Sequence, residues 1–330
     1  MKEDKPYVHS CKADRPRVPL VPSEITQVKK AAAYVRDKFI DSQIELVSQT
    51  RIETWINRLT SSFPTRHSKS RFINQVAEWL KKEFENIGHT NVYFHNYTES
   101  NFQLKNVICN KQGETDKVIL ICAHYDSRTK DREDAESSAP GADDNASGVA
   151  VVLETARILL QLDLYYSIQF VLFSGEEQDL WGAEEYAHYV KENNMNIHRV
   201  INLDMVGYPP LGQQIINIER EMGSTGSACN RVSRNDKDSE TFARSMEEIA
   251  SVYTNLTAIK GPIYGSDYCP FENRGYIVVG LYDEGQCNNP HYHSSDDLPS
   301  DLDMGYITSV TKLIVATILK EARSWGSSLK

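Results

Sequence analysis

The chain has 330 residues, 40% hydrophobic and 25% charged, and 36 Lys+Arg against 46 Asp+Glu leave a net charge of −10. This composition supports a full buried core and excludes a disordered chain, a collagen or a disulfide-dense mini-protein. An acidic balance argues against a nucleic-acid binder, which needs a basic surface. No apolar run approaches the roughly 18–20 residues of a membrane helix, so no membrane partner is expected.

Taken in chain order, residues 1–27 are polar and carry Pro6, Pro16, Pro19 and Pro22, which reads as an extended arm. Helices are expected at about 28–40 and 48–60, a loop at Ser61–Ser70, and a helix at 71–86. In the last of these, Ile73, Val76, Ala77, Leu80 and Phe84 keep the i, i+3, i+4, i+7 spacing of a face that packs on a sheet. Strands are expected at Asn91–Asn96, Asn106–Asn110, Lys117–His124, Ser167–Phe173, Arg199–Met205, Gln214–Glu219 and Tyr276–Tyr282. Helices alternate with them at about 147–161, 180–193, 239–253 and 304–323. Runs such as Val118-Ile119-Leu120-Ile121-Cys122-Ala123 are continuously apolar, the mark of strands buried on both faces. The expected fold is an α/β three-layer sandwich: a central mixed, mostly parallel β-sheet covered by helices on both faces. Residues 1–44 read as an N-terminal extension, an arm plus a helix, and 45–330 as a single domain.

Six cysteines (Cys11, Cys109, Cys122, Cys229, Cys269, Cys287) are scattered, without a CxxC pair. Cys109 and Cys122 sit in strand-like runs as small buried hydrophobes. Cys269 and Cys287, flanking a loop-rich region, are the pair best placed for a bridge. The segment Met1-Lys2-Glu3-Asp4-Lys5-Pro6 has no apolar signal core. The chain is therefore either cytoplasmic or exported with its signal already removed.

Sites in open α/β sheets gather beyond the carboxyl ends of the strands. There the sequence places His124-Tyr125-Asp126-Ser127, Ser174-Gly175-Glu176-Glu177 and Asp204. A loop before a helix reads Pro140-Gly141-Ala142-Asp143-Asp144-Asn145-Ala146-Ser147-Gly148, and a late loop reads Pro290-His291-Tyr292-His293-Ser294-Ser295-Asp296-Asp297. Each piece alone has a plain structural explanation: Asp143-Asp144 as a helix cap with first-turn acids, Glu176-Glu177 as a solvated turn. Together they form an oxygen and nitrogen donor set without a thiolate, which suits a hydrolytic zinc site, or a pair of metals roughly 3.5–4 Å apart. An unpaired Asp204 at the end of an apolar strand would be costly without a cation or donors beside it.

In this order the motifs resemble the co-catalytic di-zinc aminopeptidases typified by bacterial leucyl aminopeptidase, within the clan MH peptidases. The resemblance spans roughly residues 45–325 and includes Leu59-Thr60-Ser61-Ser62-Phe63-Pro64-Thr65-Arg66-His67 as an entry segment. It implies two zinc ions bridged by Asp144, one completed by His124 and Asp204 and the other by Glu177 and His293. It also implies Glu176 as the general base and acid, and Asp126 as the acceptor that orients the His124 imidazole. A cis peptide at Asp144–Asn145 is part of the same implication. Peptides with a free N-terminus would be the substrates, cut by a zinc-bridged hydroxide. Tyr264 would reach the substrate carbonyl or act as a hydrophobic wall, and Met205 would line the side-chain pocket. His291 competes with His293, and the motif favours His293. Most relatives are exported, which tilts the expectation towards a secreted or periplasmic protein. The rival readings are a single-zinc glutaminyl cyclase and a carboxypeptidase of the same clan. The cyclase is disfavoured by the retained Asn-Ala-Ser-Gly ending. The carboxypeptidase needs a basic pocket, for which Arg231, Arg234 and Arg274 are the candidates. Oligomeric state is left open.

Overall fold

A computed structural model describes residues 36–210, 212–221, 235–263 and 265–323. Eight strands form one sheet: β1 Val92–Glu99, β2 Phe102–Lys111, β3 Val118–His124, β4 Ser167–Phe173, β5 Ile197–Leu203, β6 Ile215–Arg220, β7 Thr257–Pro262 and β8 Val278–Tyr282. Their spatial order is β1-β2-β4-β3-β5-β8-β6-β7. The four central strands β4, β3, β5 and β8 run parallel, with antiparallel pairing at β1/β2, β2/β4 and β6/β8.

The continuous apolar runs lie where both faces are covered. Along β3, Ile119, Ile121 and Ala123 enter one core while Leu120 and Cys122 enter the other, and Ile168, Phe170 and Leu172 alternate with Val171 and Phe173 along β4. The larger core takes α2 Gln49–Ser62, α3 Ile73–Ile87, α4 Gly148–Leu159, α6 Asp236–Tyr253 and α9 Met304–Ala322. The opposite face takes α5 Trp181–Glu192 and the short α7 Cys269–Glu272, with the single turn α8 Gly285–Asn288 following β8. The three-layer sandwich with a mixed sheet is what the chain adopts.

Of the helix expected at about 28–40, residues 28–35 lie outside the described residues; the described part opens with α1 Lys38–Ile44, capped by Asp37, whose side chain accepts from the Phe39 N–H. Ile40 and Ile44 are 1% exposed and join the larger core, so the end of the extension packs with the rest. Strand β7 was not expected, because Thr257-Ala258-Ile259-Lys260-Gly261-Pro262 is short, edge-placed and ends in residues that strands disfavour. The arm of residues 1–27 lies outside the described residues. Cys109 and Cys122 are free and buried. Cys269 is disulfide-bonded, and the side chain of Cys287, its expected partner, lies outside the described residues. Among the described residues no helix is long and apolar enough to cross a membrane.

Candidate metal centre

The parallel strands β3, β4 and β5 end side by side, and each delivers a polar side chain at its carboxyl end. His124 closes β3, the Glu176-Glu177 turn follows β4, and Asp204 follows β5. Asp144 enters from the turn before α4, and His293 from the loop after α8, with φ +55°. The Asp144 carboxylate divides between two imidazoles: Oδ1 lies 3.2 Å from His124 Nε2 and Oδ2 lies 3.0 Å from His293 Nε2. Asp204 Oδ1 is 3.2 Å from His124 Nε2, and Glu177 Oε2 is 3.2 Å from His293 Nε2. Two donor groups result, His124–Asp144–Asp204 and Asp144–Glu177–His293, each with its ligand atoms within 4.8 Å of one another and Asp144 common to both.

These side chains fit a pair of cations. Glu177 Oε1 is buried without a hydrogen-bond partner, a costly arrangement unless an ion completes it, and His293 Nε2 stands between two carboxylate oxygens. His124 Nδ1 faces the Asp126 carbonyl oxygen at 3.2 Å, which leaves Nε2 to the carboxylates. Imidazole and carboxylate donors without sulfur suit zinc in a hydrolytic site.

The surrounding hydrogen bonds explain why the motifs read as they do. Asp126 Oδ1 lies 3.6 Å from His124 Nδ1. The carboxylate is taken up instead by the backbone N–H groups of Glu176 and Glu177, both at 3.2 Å, and by Ser68 Oγ at 3.0 Å. Asp126 thus orients His124 mainly through its carbonyl and holds the Glu176-Glu177 turn through its carboxylate. Asn145 donates to the Leu203 carbonyl at 2.8 Å and accepts from Gly148 N and Met205 N, tying the Asp144 turn to the end of β5. The Asp144–Asn145 peptide is cis. Gly141 sits at φ +53°, where a Cβ would meet the Asp144 carbonyl oxygen at 2.2 Å.

Asp143 turns the other way: its Oδ1 accepts from Gly207 N at 2.9 Å, and it belongs to neither donor group. His291 pairs with Asp301 at 2.8 Å, away from both groups. Met205, with φ +54°, lines the cleft beside Asp204. Tyr264, Arg231 and Arg234 lie outside the described residues, while Arg274 pairs with Glu184 of α5.

Several contributors had no motif reading of their own. Asp297 accepts from Asp143 N at 3.0 Å and from Asp144 N at 3.1 Å, which pins the bridge residue's backbone. Arg66 is fully buried and donates to the carbonyls of Tyr125, Pro140 and Gly141; burial lowers its pKa to about 10 against the pull of Asp297, Asp126, Asp144 and Glu177. Arg128 Nε binds Glu177 Oε2 at 2.6 Å. Arg66 and Asp297 stand inside motifs and Arg128 just after one, but their partners are distant in sequence.

The carboxyl groups are pushed in opposite directions. Burial drives the Glu176 carboxyl well above its ordinary range, with Glu177, Asp204 and Asp267 adding to the shift and His124 opposing it. Burial works the same way on Asp144, but hydrogen bonds with His124 and His293 outweigh it and hold that carboxyl well below its usual range. A carboxyl whose proton affinity is raised, near one whose affinity is lowered, is a division of labour suited to acid–base chemistry.

A sandwich with this donor set at its strand ends is that of a metal-dependent hydrolase, and comparison with known proteins agrees. Residues 106–318 match the model of peptidase family M28, and the chain belongs to that family. It is 29% identical over 328 residues to a "Probable zinc metalloprotease" of Leptosphaeria maculans, covering 84% of this chain and 75% of that protein. It is 25% identical over 299 residues to "Leucine aminopeptidase 1" of Trichophyton equinum, covering 86% and 77%. The aminopeptidase LapA of Legionella pneumophila superposes with a TM-score of 0.73 at 18% identity, over 89% of this chain and 78% of that one.

Proposed function

We propose that this protein is a zinc aminopeptidase that removes the first residue of peptides with a free N-terminus. The observation that carries the reading is the Asp144 carboxylate, shared between two imidazoles within two convergent donor groups. His124, Asp144 and Asp204 would hold one zinc, and Asp144, Glu177 and His293 the other. A bound zinc pair would polarise the scissile carbonyl and lower the pKa of water from 15.7 towards about 7.

The remaining steps belong to this chain's own side chains. Glu176, buried and with its proton affinity raised, accepts the proton of the attacking water and delivers it to the departing amide nitrogen. Asp126 holds the backbone of Glu176 and Glu177 together, so base and ligand keep a fixed separation. Asp297, through two backbone N–H groups, keeps the Asp144 carboxylate aimed between the imidazoles. The acidic side chains that line the cleft, Asp204 among them, suit a substrate's α-ammonium group and so favour cutting at the N-terminus. Residues 45–330 form the catalytic domain in this reading, and α1 packs on it through Ile40 and Ile44. The Cys269 disulfide supports an exported protein, since such bonds persist in oxidising compartments.

The test uses zinc-loaded protein and tripeptides with free N-termini, each paired with its N-acetylated twin and followed by mass spectrometry. Loss of the first residue from the free peptides alone is expected. Release from the carboxyl end, or equal cleavage of the acetylated twins, would sink the aminopeptidase reading.

A further inference from the structure

The cleft that opens beside the metal centre is lined not only by Glu176 and Asp204 but also by Met205, Glu219, Tyr268 and Tyr282. Glu219 reaches it from β6, on the far side of β8 from β5. Asn202, Gly280 and Glu219 stand in one row across the three strands. Two strand spacings, roughly 10 Å, therefore separate Glu219's backbone from the strand that ends in Asp204. The Glu219 side chain covers only the first of those spacings and ends over Gly280 of β8. Gly280 makes the arrangement possible: a Cβ there would lie 2.4 Å from the Tyr268 ring and 2.6 Å from Glu219 Oε2. With hydrogen in that place, the tyrosine and the carboxyl both lean over β8 into the cleft.

Glu219 is 4% exposed, and Tyr268 OH donates to its Oε2 at 2.9 Å. Among the described residues no Lys, Arg or His pairs with it, whereas Asp144 and Asp204 face imidazoles and Glu177 faces both an imidazole and Arg128. Its charged neighbours are themselves acidic, Asp204 and Glu284. Burial and those neighbours push the Glu219 carboxyl up to about 8, against the pull of the Tyr268 hydrogen bond. A buried carboxyl with no countercharge, at the side of a cleft that leads to the reaction centre, is completed by a cation brought in from outside.

We propose that Glu219 makes this cleft select substrates whose first residue carries a cationic side chain, lysine or arginine. The inference rests on the aminopeptidase reading above and assigns its substrate class. Met205 and Tyr282 flank the aliphatic stem while the ammonium or guanidinium group meets the Glu219 carboxylate, which Tyr268 holds in place.

Zinc-loaded protein is given equimolar Lys-Ala-Ala, Arg-Ala-Ala and Leu-Ala-Ala in one vessel, and released residues are counted by mass spectrometry for the native chain and for Glu219→Gln. Glutamine keeps the volume and can still accept from Tyr268, and a ratio read in one vessel cancels any loss of active protein. The native chain is expected to favour the basic peptides by about tenfold or more, and Glu219→Gln to abolish most of that preference. A native preference for the leucine peptide, or a basic-to-leucine ratio unchanged in Glu219→Gln, overturns the assignment. If the native chain cleaves none of the three, the aminopeptidase reading fails separately. Calorimetric binding of lysinamide against leucinamide to the zinc-loaded protein then decides the pocket. Tighter lysinamide binding that Glu219→Gln removes upholds it, and equal binding overturns it.

Discussion

Glu176 and Glu177 are neighbours in sequence with opposite tasks, and the difference lies in what each one meets. Glu177 is held below the usual carboxylate range: burial opposes this, but His293 and Arg128 prevail. Glu176 has only the pull of His124 against burial and three like charges, and its carboxyl rises. Replacing Glu176 by Gln should therefore lower kcat by about 10²–10⁴ while zinc content, counted by atomic emission, stays at the native value. Loss of metal together with activity would recast Glu176 as a ligand. At this scale the candidate donors were readable only because several short motifs occur together in one order; Asp204, between Leu203 and Met205, has no polar neighbour to mark it. Glu219 was not readable: its meaning depends on Tyr268 and Gly280, 49 and 61 positions away, and nothing beside it in β6 marks it. Arg66 and Asp297 escaped for the same reason, since their work is done on backbone atoms of other motifs.

The elements divide by the same logic. Strands β3 and β4 announce themselves because burial on both faces leaves no polar positions to interrupt the run. Strand β7 has one strand neighbour among the described residues, β6, and that pairing is what identifies it. Between elements, Arg66 fastens the loop before α3 to the end of β3 and to the turn before α4. Arg66→Met would leave the carbonyls of Tyr125 and Pro140 buried without their donor, while the Gly141 carbonyl keeps the Ala146 N–H. An unmet buried acceptor costs about 1–3 kcal/mol, so the variant should lose at least about 2 kcal/mol in denaturant unfolding and zinc affinity should fall with it. A variant of native stability would show that water or a shifted loop replaces the guanidinium.

For the whole molecule, the β6–β7 edge is tied to α6 by one charged cluster. Glu240 takes Arg220 Nε at 3.0 Å, Lys260 Nζ at 2.9 Å and Arg244 Nε at 2.6 Å, with Arg220 buried beneath it. Partial burial works to raise the Glu240 pKa, but the three cations carry it down to about 2. Its folded value lies below the roughly 4.3 of an unfolded glutamate. The cluster therefore stabilises fully above that value, and its contribution fades as pH falls towards 2. Glu240→Gln should melt below the native chain at pH 7, and the two melting temperatures should converge near pH 2. A gap that persists at the acid end would assign the loss to packing rather than charge.

The proposed ligands are gathered from strand ends that are neighbours in space but far apart in the chain, with the shared Asp144 early and His293 late. A ribosome making this protein lays down Asp144, Glu176 and Glu177 well before it reaches His293. Until then the second donor group lacks its imidazole, and β8, which completes the central parallel strands, has only just been added. The growing chain can therefore gather acidic groups and even a first ion without assembling the paired centre. A peptidase arranged in this way is unarmed while it is being synthesised, when its own unfinished chain and those around it are most open to attack.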